Sequence, residues 1–205
     1  MTTLLQDIVA LLAISNPLGA LPVFLAITEH VTSAERMRAG LRAALAATII
    51  LAAAALAGRP VLAAFGISMP ALQAAGGLVI LLMGLEMLHG APTRVQHDER
   101  GQQSTADRVL VPLAMPLLAG PGAITTVLTL SSRVDTWAGT VMLLIAVVFV
   151  GVTIGIILVS AARLGSLLGT RGQRILLRFM GLILAAVGAQ LLLAGVYTFV
   201  PQPSP

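Results

Sequence analysis

The residues of this chain best placed to hold a ligand are two short groups that free backbone hydrogen-bonding atoms inside apolar runs. One is Ser15-Asn16-Pro17-Leu18-Gly19, with Pro22 following; the other is Pro116-Leu117-Leu118-Ala119-Gly120-Pro121-Gly122. Asn16 can cap a helix and Pro17 can start one, which leaves the N–H groups of Leu18 and Gly19 without intrahelical partners. Pro22 removes a further donor and crowds the Leu18 carbonyl. Pro121 is expected to start a helix in the same way, with Gly120 and Gly122 allowing unusual dihedrals and close approach. The N–H groups of Gly122, Ala123 and Ile124 are then free. A helix N-terminus carries about half a positive charge, so both groups suit an anion such as a carboxylate.

Other polar residues lie near these breaks. Thr125, Thr126 and Thr129 follow the second, and Thr125 and Thr129 share a helix face at i, i+4 spacing. They could hydrogen-bond a substrate, or simply bond back to their own helix as membrane threonines often do. Glu86 is the acid placed deepest in an apolar run, which makes it a candidate for proton or cation coupling. The alternative is that Glu86, one turn from His89, reaches the membrane interface. Asp7 reads as interfacial. Enzyme chemistry has little support: His30, His89 and His97 stand beside no serine or metal partner, and no zinc-protease or hydrolase-elbow motif occurs. The chain contains neither Cys nor Lys, so thiol chemistry and a lysine-ended phosphate loop are excluded.

The elements that must position these residues are membrane helices. Of the residues, 58% are hydrophobic and 10% charged, and the mean hydropathy is +0.99. Six apolar segments are readable: Leu4–Thr28, Gly40–Gly58, Met69–Leu88, Val109–Leu130, Ala138–Ala162 and Phe179–Val200. Each is long enough to cross a hydrocarbon core of about 30 Å. Inside a bilayer, irregular backbone is tolerated only where protein buries it or it lines a cavity, so the two broken segments mark a site. Ser68 followed by Pro70 reads as the start of the third segment.

All twelve basic residues are Arg; eleven fall between the apolar segments, and Arg42, near the start of the second, is expected to snorkel to the interface. The net charge of +4 therefore orients the chain in a membrane and does not point to nucleic acid. With six spans, Arg36, Arg38, Arg42, Arg94, Arg100, Arg108, Arg163, Arg171, Arg174 and Arg178 share one side, and only Arg59 and Arg133 face the other. The positive-inside rule makes the first side cytoplasmic and puts both termini outside. Re-entrant hairpins at the two breaks would erase this asymmetry, so full spans with a central break are expected. Trp137 and Tyr197 then fall at the outer interface. No signal peptide is expected, because the first basic residue is Arg36.

A shift of 104 residues aligns the chain with itself: Gly77-Leu78-Val79-Ile80 on Gly181-Leu182-Ile183-Leu184, Gly84 on Gly188, Glu86 on Gln190 and Pro17 on Pro121. Each half holds three spans, so the second must enter the membrane inverted. The expected architecture is one all-α membrane domain over 1–205. Repeat one covers 1–90, a polar cytoplasmic linker 91–108 and repeat two 109–200. The first and fourth helices are broken at mid-membrane, and the tail from Pro201 is frayed.

At these residues the chain resembles the MarC family. The resemblance rests on Ser-Asn-Pro-Leu-Gly-Ala-Leu-Pro-Val-Phe (15–24), Pro-Leu-Leu-Ala-Gly-Pro-Gly-Ala-Ile-Thr-Thr (116–126) and the segment containing Leu85-Glu86-Met87. It implies a multi-pass protein of the bacterial inner membrane, with transport of small neutral amino acids such as glycine and alanine, coupled to H⁺ or Na⁺. By position it implies a discontinuous-helix site of Asn16, Pro17, Gly19, Gly120, Pro121 and Gly122. Taken with the residue-by-residue reading, the expected substrate contacts are Asn16, Pro17, Leu18, Gly19, Gly120, Pro121, Gly122, Ala123, Thr125 and Thr126. Glu86 and Gln190 are the coupling-ion candidates, and neither a cofactor nor a metal is expected. Export of another small metabolite, or a membrane scaffold without transport, remains open at this point.

Overall fold

A computed structural model of the chain describes residues 2–89, 118–134 and 136–199. The described residues form helices and no strands: α1 (Thr2–Ser15), α2 (Pro17–Ile27), α3 (Ser33–Ala64), α4 (Met69–His89), α5 (Pro121–Ser132), α6 (Trp137–Val159) and α7 (Ala161–Phe199). Among the described residues, five stretches are long and apolar enough to cross a bilayer, α1 and α2 counting together as one. The expected fourth span, Val109–Leu130, lies partly outside the described residues, as does the linker 91–108. Its described part contributes the first turns of α5.

Local chemistry sets the helix starts. Thr32 and Glu35 form a reciprocal capping box at α3: the Glu35 N–H donates to Thr32 Oγ1 at 3.3 Å, and the Thr32 N–H donates to Glu35 Oε2 at 2.9 Å. Arg36 closes the preceding turn by donating to the Thr28 carbonyl at 2.6 Å and Thr28 Oγ1 at 3.1 Å. Ser68 Oγ accepts from the Ala71 N–H at 3.4 Å, which fits the helix start expected there. Thr136 Oγ1 accepts from the Gly139 N–H at 3.2 Å and opens α6.

Two boundaries differ from the sequence reading. Helix α3 runs well beyond Gly40–Gly58 at both ends. The arginine-rich stretch before Phe179, expected as a loop, is helical and belongs to α7. Its Arg, Leu and Ala residues are good helix formers, and hydropathy does not register that property. A straight helix of 39 residues would be about 58 Å long, more than a bilayer with its headgroups. The chain resolves the excess at Gly169, whose φ of 59° and ψ of 179° bend it. Gln173 Nε2 donates to the Gly165 carbonyl across the bend at 3.1 Å.

The helices pack in pairs: α4 lies along α7 and α3 along α6, while α1–α2 and α5 fill the space between. The core is centred on the broken elements, with Leu11, Leu21, Phe24, Leu118 and Val127 fully buried. The outer faces carry Leu45, Ile49, Phe149, Ile156 and Leu193, all more than half exposed, as expected of surfaces that meet lipid.

The α4–α7 seam is made by glycine. A Cβ on Gly77 would meet the Gly188 carbonyl oxygen at 2.8 Å, and a Cβ on Gly84 would meet the Gly181 oxygen at 2.7 Å. Backbone therefore touches backbone, as in other membrane helix pairs built on small residues. Gly84→Ala should separate the two helices and cost about 1–3 kcal/mol, the usual penalty of overpacking. Gly155→Ala, whose Cβ would sit 3.5 Å from Ala44 Cβ, should change stability by less than about 0.5 kcal/mol. Melting temperatures in detergent check the pair: a clear drop for the first and almost none for the second.

Candidate functional site at the helix breaks

The first break is a single residue wide. Asn16 adopts φ 40° and ψ 56°, the left-handed region that Asn visits more readily than most residues. Its side-chain Oδ1 accepts from the Gly19 N–H at 3.1 Å. Its own N–H donates to the Leu12 carbonyl at 3.0 Å, and its carbonyl accepts from Ala20 at 3.1 Å. Capping by Asn16 and initiation at Pro17 follow the sequence expectation. The Gly19 N–H, however, is not free: Asn16 Oδ1 takes it. Leu18 is half-buried, while Pro17 and Gly19 are buried.

The Gly19 bond fixes the orientation of the Asn16 amide and aims its nitrogen at α4. There Asn16 Nδ2 donates to Met87 Sδ at 3.6 Å. A thioether is a weak acceptor, so this buried donor is only lightly engaged. The two residues line a cavity of about 20 Å³ together with Ile14, Gly19, Met83 and Leu184. That is room for about one water molecule, far below the 300 Å³ or more of an ordinary ligand pocket.

The second break is built differently. Gly120 is extended (φ −69°, ψ 177°) and provides no side-chain cap for α5. The Ile124 N–H donates to the Gly120 carbonyl at 3.0 Å, so it too is not free as expected. The N–H groups of Gly122 and Ala123 remain, with no partner among the described residues. Both residues are buried, whereas Pro121 is exposed. Gly122 packs between α4 and α1: a Cβ there would collide with the Ile80 side chain and meet Ile14 Cγ2 at 3.4 Å.

Helices α1 and α5 run antiparallel past each other. Ile14 meets Gly122 near the breaks, while Asp7 and Arg133 interact electrostatically toward the other ends. This sets Ser15 at the height of the first turn of α5. Ser15 is fully buried, and its Oγ has no hydrogen-bond partner.

The threonines divide. Thr126 Oγ1 donates back to the Gly122 carbonyl at 2.9 Å, the purely structural use. Thr125 packs its side chain into the space left by Gly76. Thr129 Oγ1 is buried without a partner. Glu86 and Gln190 lie on exposed faces of α4 and α7, and neither lines the cavity.

The sequence reading gave no role to Ser15, Ile80, Met83, Met87 or Leu184. Ser15 stood within the motif, but no role was drawn from it. The others are apolar residues at helical spacing, and nothing in their types separates them from packing. No cluster of three or more His, Cys, Asp or Glu side chains able to hold a metal occurs among the described residues.

Broken apolar helices enclosed by helices with apolar outer faces define an integral, multi-pass membrane protein. Residues 1–200 match the MarC family of integral membrane proteins, and the chain belongs to that family. Among its relatives is a UPF0056 membrane protein of Pyrococcus abyssi, 34% identical over 92% of this chain and 91% of its own length. Another, from Methanocaldococcus jannaschii, is 36% identical over 91% of this chain and 92% of its own. The UPF0056 inner membrane protein MarC of Salmonella arizonae is 34% identical over 92% and 91% respectively. The family is one of integral membrane proteins. No solved structure matches the chain.

The two functions of Asn16, capping and a left-handed φ, can be separated by substitution. Asn16→Ala loses the cap and is strained at φ 40°, and should cost about 1–3 kcal/mol. Asn16→Gly relieves the strain and should cost less than about 1 kcal/mol. Thermal melts of the two variants test this order; equal losses would contradict it.

Proposed function

We propose that this protein is a secondary transporter of small neutral amino acids of the glycine and alanine kind, driven by an H⁺ or Na⁺ gradient. One observation carries the reading: Gly122 and Ala123 in the first turn of α5 are buried, the turn has no side-chain cap, and their N–H groups are unpartnered among the described residues. Buried donors without partners are rare in proteins and costly in lipid. A substrate carboxylate placed there would accept both N–H groups and meet the positive end of the helix. The unpartnered Ser15 hydroxyl at the same height supplies a third donor, and the Asn16 amide, released from Met87, a fourth.

Substrate size follows from the walls. Ile14 and Ile80 close around Gly122, and the nearby cavity holds about 20 Å³. Only a small ligand can be admitted by modest movement of Ile80 and Met87. Glu86 and Gln190 are both exposed and neither lines the cavity, which favours the interfacial reading of Glu86.

The packing supports the inverted repeat that alternating access requires. At an offset of 104, Gly77 corresponds to Gly181 and Gly84 to Gly188. Gly77 touches Gly188, and Gly84 touches Gly181. Such reciprocal contacts are what a two-fold axis between the halves produces. The repeat-related helices α3 and α6 also pair with each other. The arginine distribution then orients the protein in a bacterial inner membrane with both termini on the outer side.

Topology is tested by labelling single cysteines placed in this cysteine-free chain at Ser132 and Ser166. The two should react from opposite faces, Ser132 from outside; reaction from one face would refute the arrangement. Transport is tested in proteoliposomes with labelled glycine and alanine under imposed H⁺ or Na⁺ gradients. Saturable uptake is expected, and the corresponding amino-acid amides should not compete, because they lack the carboxylate. A reconstituted, folded protein that moves neither amino acid under either gradient would overturn the proposal and favour a scaffold. Gly122→Val should weaken binding by about 10- to 1,000-fold through loss of one or two charge-assisted hydrogen bonds. Gly155→Ala is the control, and a melt without substrate excludes a folding defect.

A further inference from the structure

We propose that the outer groove between α3 and α6 is a binding site for one anionic phospholipid, with its acyl chain in the groove and its phosphate against an arginine cluster at one end. The groove encloses about 570 Å³ and lies far from the helix breaks, on faces of α3 and α6 that carry more than half-exposed Leu41, Leu45, Val152 and Ile156. Its floor is low because Gly151 and Gly155 present no side chain, and Ala44 and Thr48 of α3 lie against them. The Thr48 hydroxyl is already spent on the Ala44 carbonyl at 2.7 Å. The floor therefore offers an apolar surface with no polar group in need of a partner.

Length and charge select the occupant. Along α6 the groove runs from Val148 to Ser160, a rise of about 18 Å, close to the roughly 15 Å of one leaflet's hydrocarbon. A helix from a second copy would cross both leaflets; an acyl chain ends at the midplane. At the Leu41 and Ser160 end the lining gives way to arginine. Arg38 and Arg42 stand on α3, one turn before Leu41 and one residue after it. Hydrogen bonds run on through Ser160, from its N–H to the Ile156 carbonyl and from the Leu164 N–H to its own carbonyl, both at 3.0 Å. Arg163 thus continues the Ile156–Val159 stripe.

All three arginines are exposed. The guanidinium groups of Arg42 and Arg163 have no ion pair or hydrogen bond among the described residues, and Arg38 interacts only with Glu35. Their positive charge meets a phosphate at headgroup depth, on the arginine-rich side of the protein, where basic sites between membrane helices hold anionic lipid. Arginine matches phosphate oxygens with paired N–H donors.

The test uses the full chain in detergent, with phosphatidylglycerol and phosphatidylcholine of identical acyl chains as probes. Native mass spectrometry should show one retained phosphatidylglycerol per chain, and melts should rise with that lipid more than with phosphatidylcholine. Arg42→Gln with Arg163→Gln should weaken phosphatidylglycerol retention by about 30-fold and abolish the preference. Gly155→Leu fills the floor and leaves the arginines intact; it should weaken retention of both lipids by about tenfold or more. Melts without added lipid establish that each variant is folded. Equal retention of the two lipids by the natural chain would overturn the proposal, as would unchanged retention in a folded Gly155→Leu protein. A lipid-free dimer lost in Gly155→Leu would overturn it too, by assigning the groove to a second copy.

Discussion

A backbone amide inside a bilayer must find its partner within the protein, and most of this structure follows from where that requirement is met locally and where it is not. The seven helices among the described residues satisfy their own interiors. Their ends solve the problem with nearby side chains: Thr32 and Glu35 at α3, Ser68 at α4 and Thr136 at α6. These ends can also draw on water. The two breaks are buried, so the protein must supply everything there. At the first, Asn16 donates, accepts and bends the chain in one residue. At the second no side chain among the described residues answers, and the Gly122 and Ala123 N–H groups are buried without a partner there. That difference sets the second break apart from the first, and the proposed carboxylate site rests on it.

The breaks were legible in the sequence because Pro and Gly alter backbone chemistry wherever they stand. The Asn16 cap and the starts at Pro17, Ser68 and Pro121 could be read for the same reason. What stayed hidden depends on which neighbour arrives from elsewhere in the chain. Periodicity cannot say that Met87 will face Asn16 or that Ile80 will cover Gly122, because apolar residues look alike until the helices pack. It cannot say that the Ser15 hydroxyl will lack the carbonyl a membrane serine ordinarily finds. The helical course of the arginine-rich stretch in α7 was missed because hydropathy reports on affinity for lipid and not on helix propensity. Glu86 drew attention by depth along the chain, yet its position around the helix axis decides its surroundings, and it is exposed.

Membership in the MarC family accounts for the length, the apolar spans and the two motifs together. The geometry adds an unequal distribution of work within them. Two motifs that look equivalent as text, each a proline beside small or amide residues, are satisfied in opposite ways. A family description alone would not distinguish them.

The glycine seam between α4 and α7 has a mechanical consequence. Side chains ordinarily act as springs between helices, since rotamers can change while backbones stay still. At Gly77, Gly84, Gly181 and Gly188 there are none, and the two backbones rest directly on each other. Sliding or rolling one helix against the other would break several contacts at once with nothing to take up the slack, so the pair behaves as a stiff beam. From this support Ile80 reaches Gly122, and Met83 and Met87 line the cavity beside Asn16. The seam thus gives the side chains that face the breaks a rigid backing.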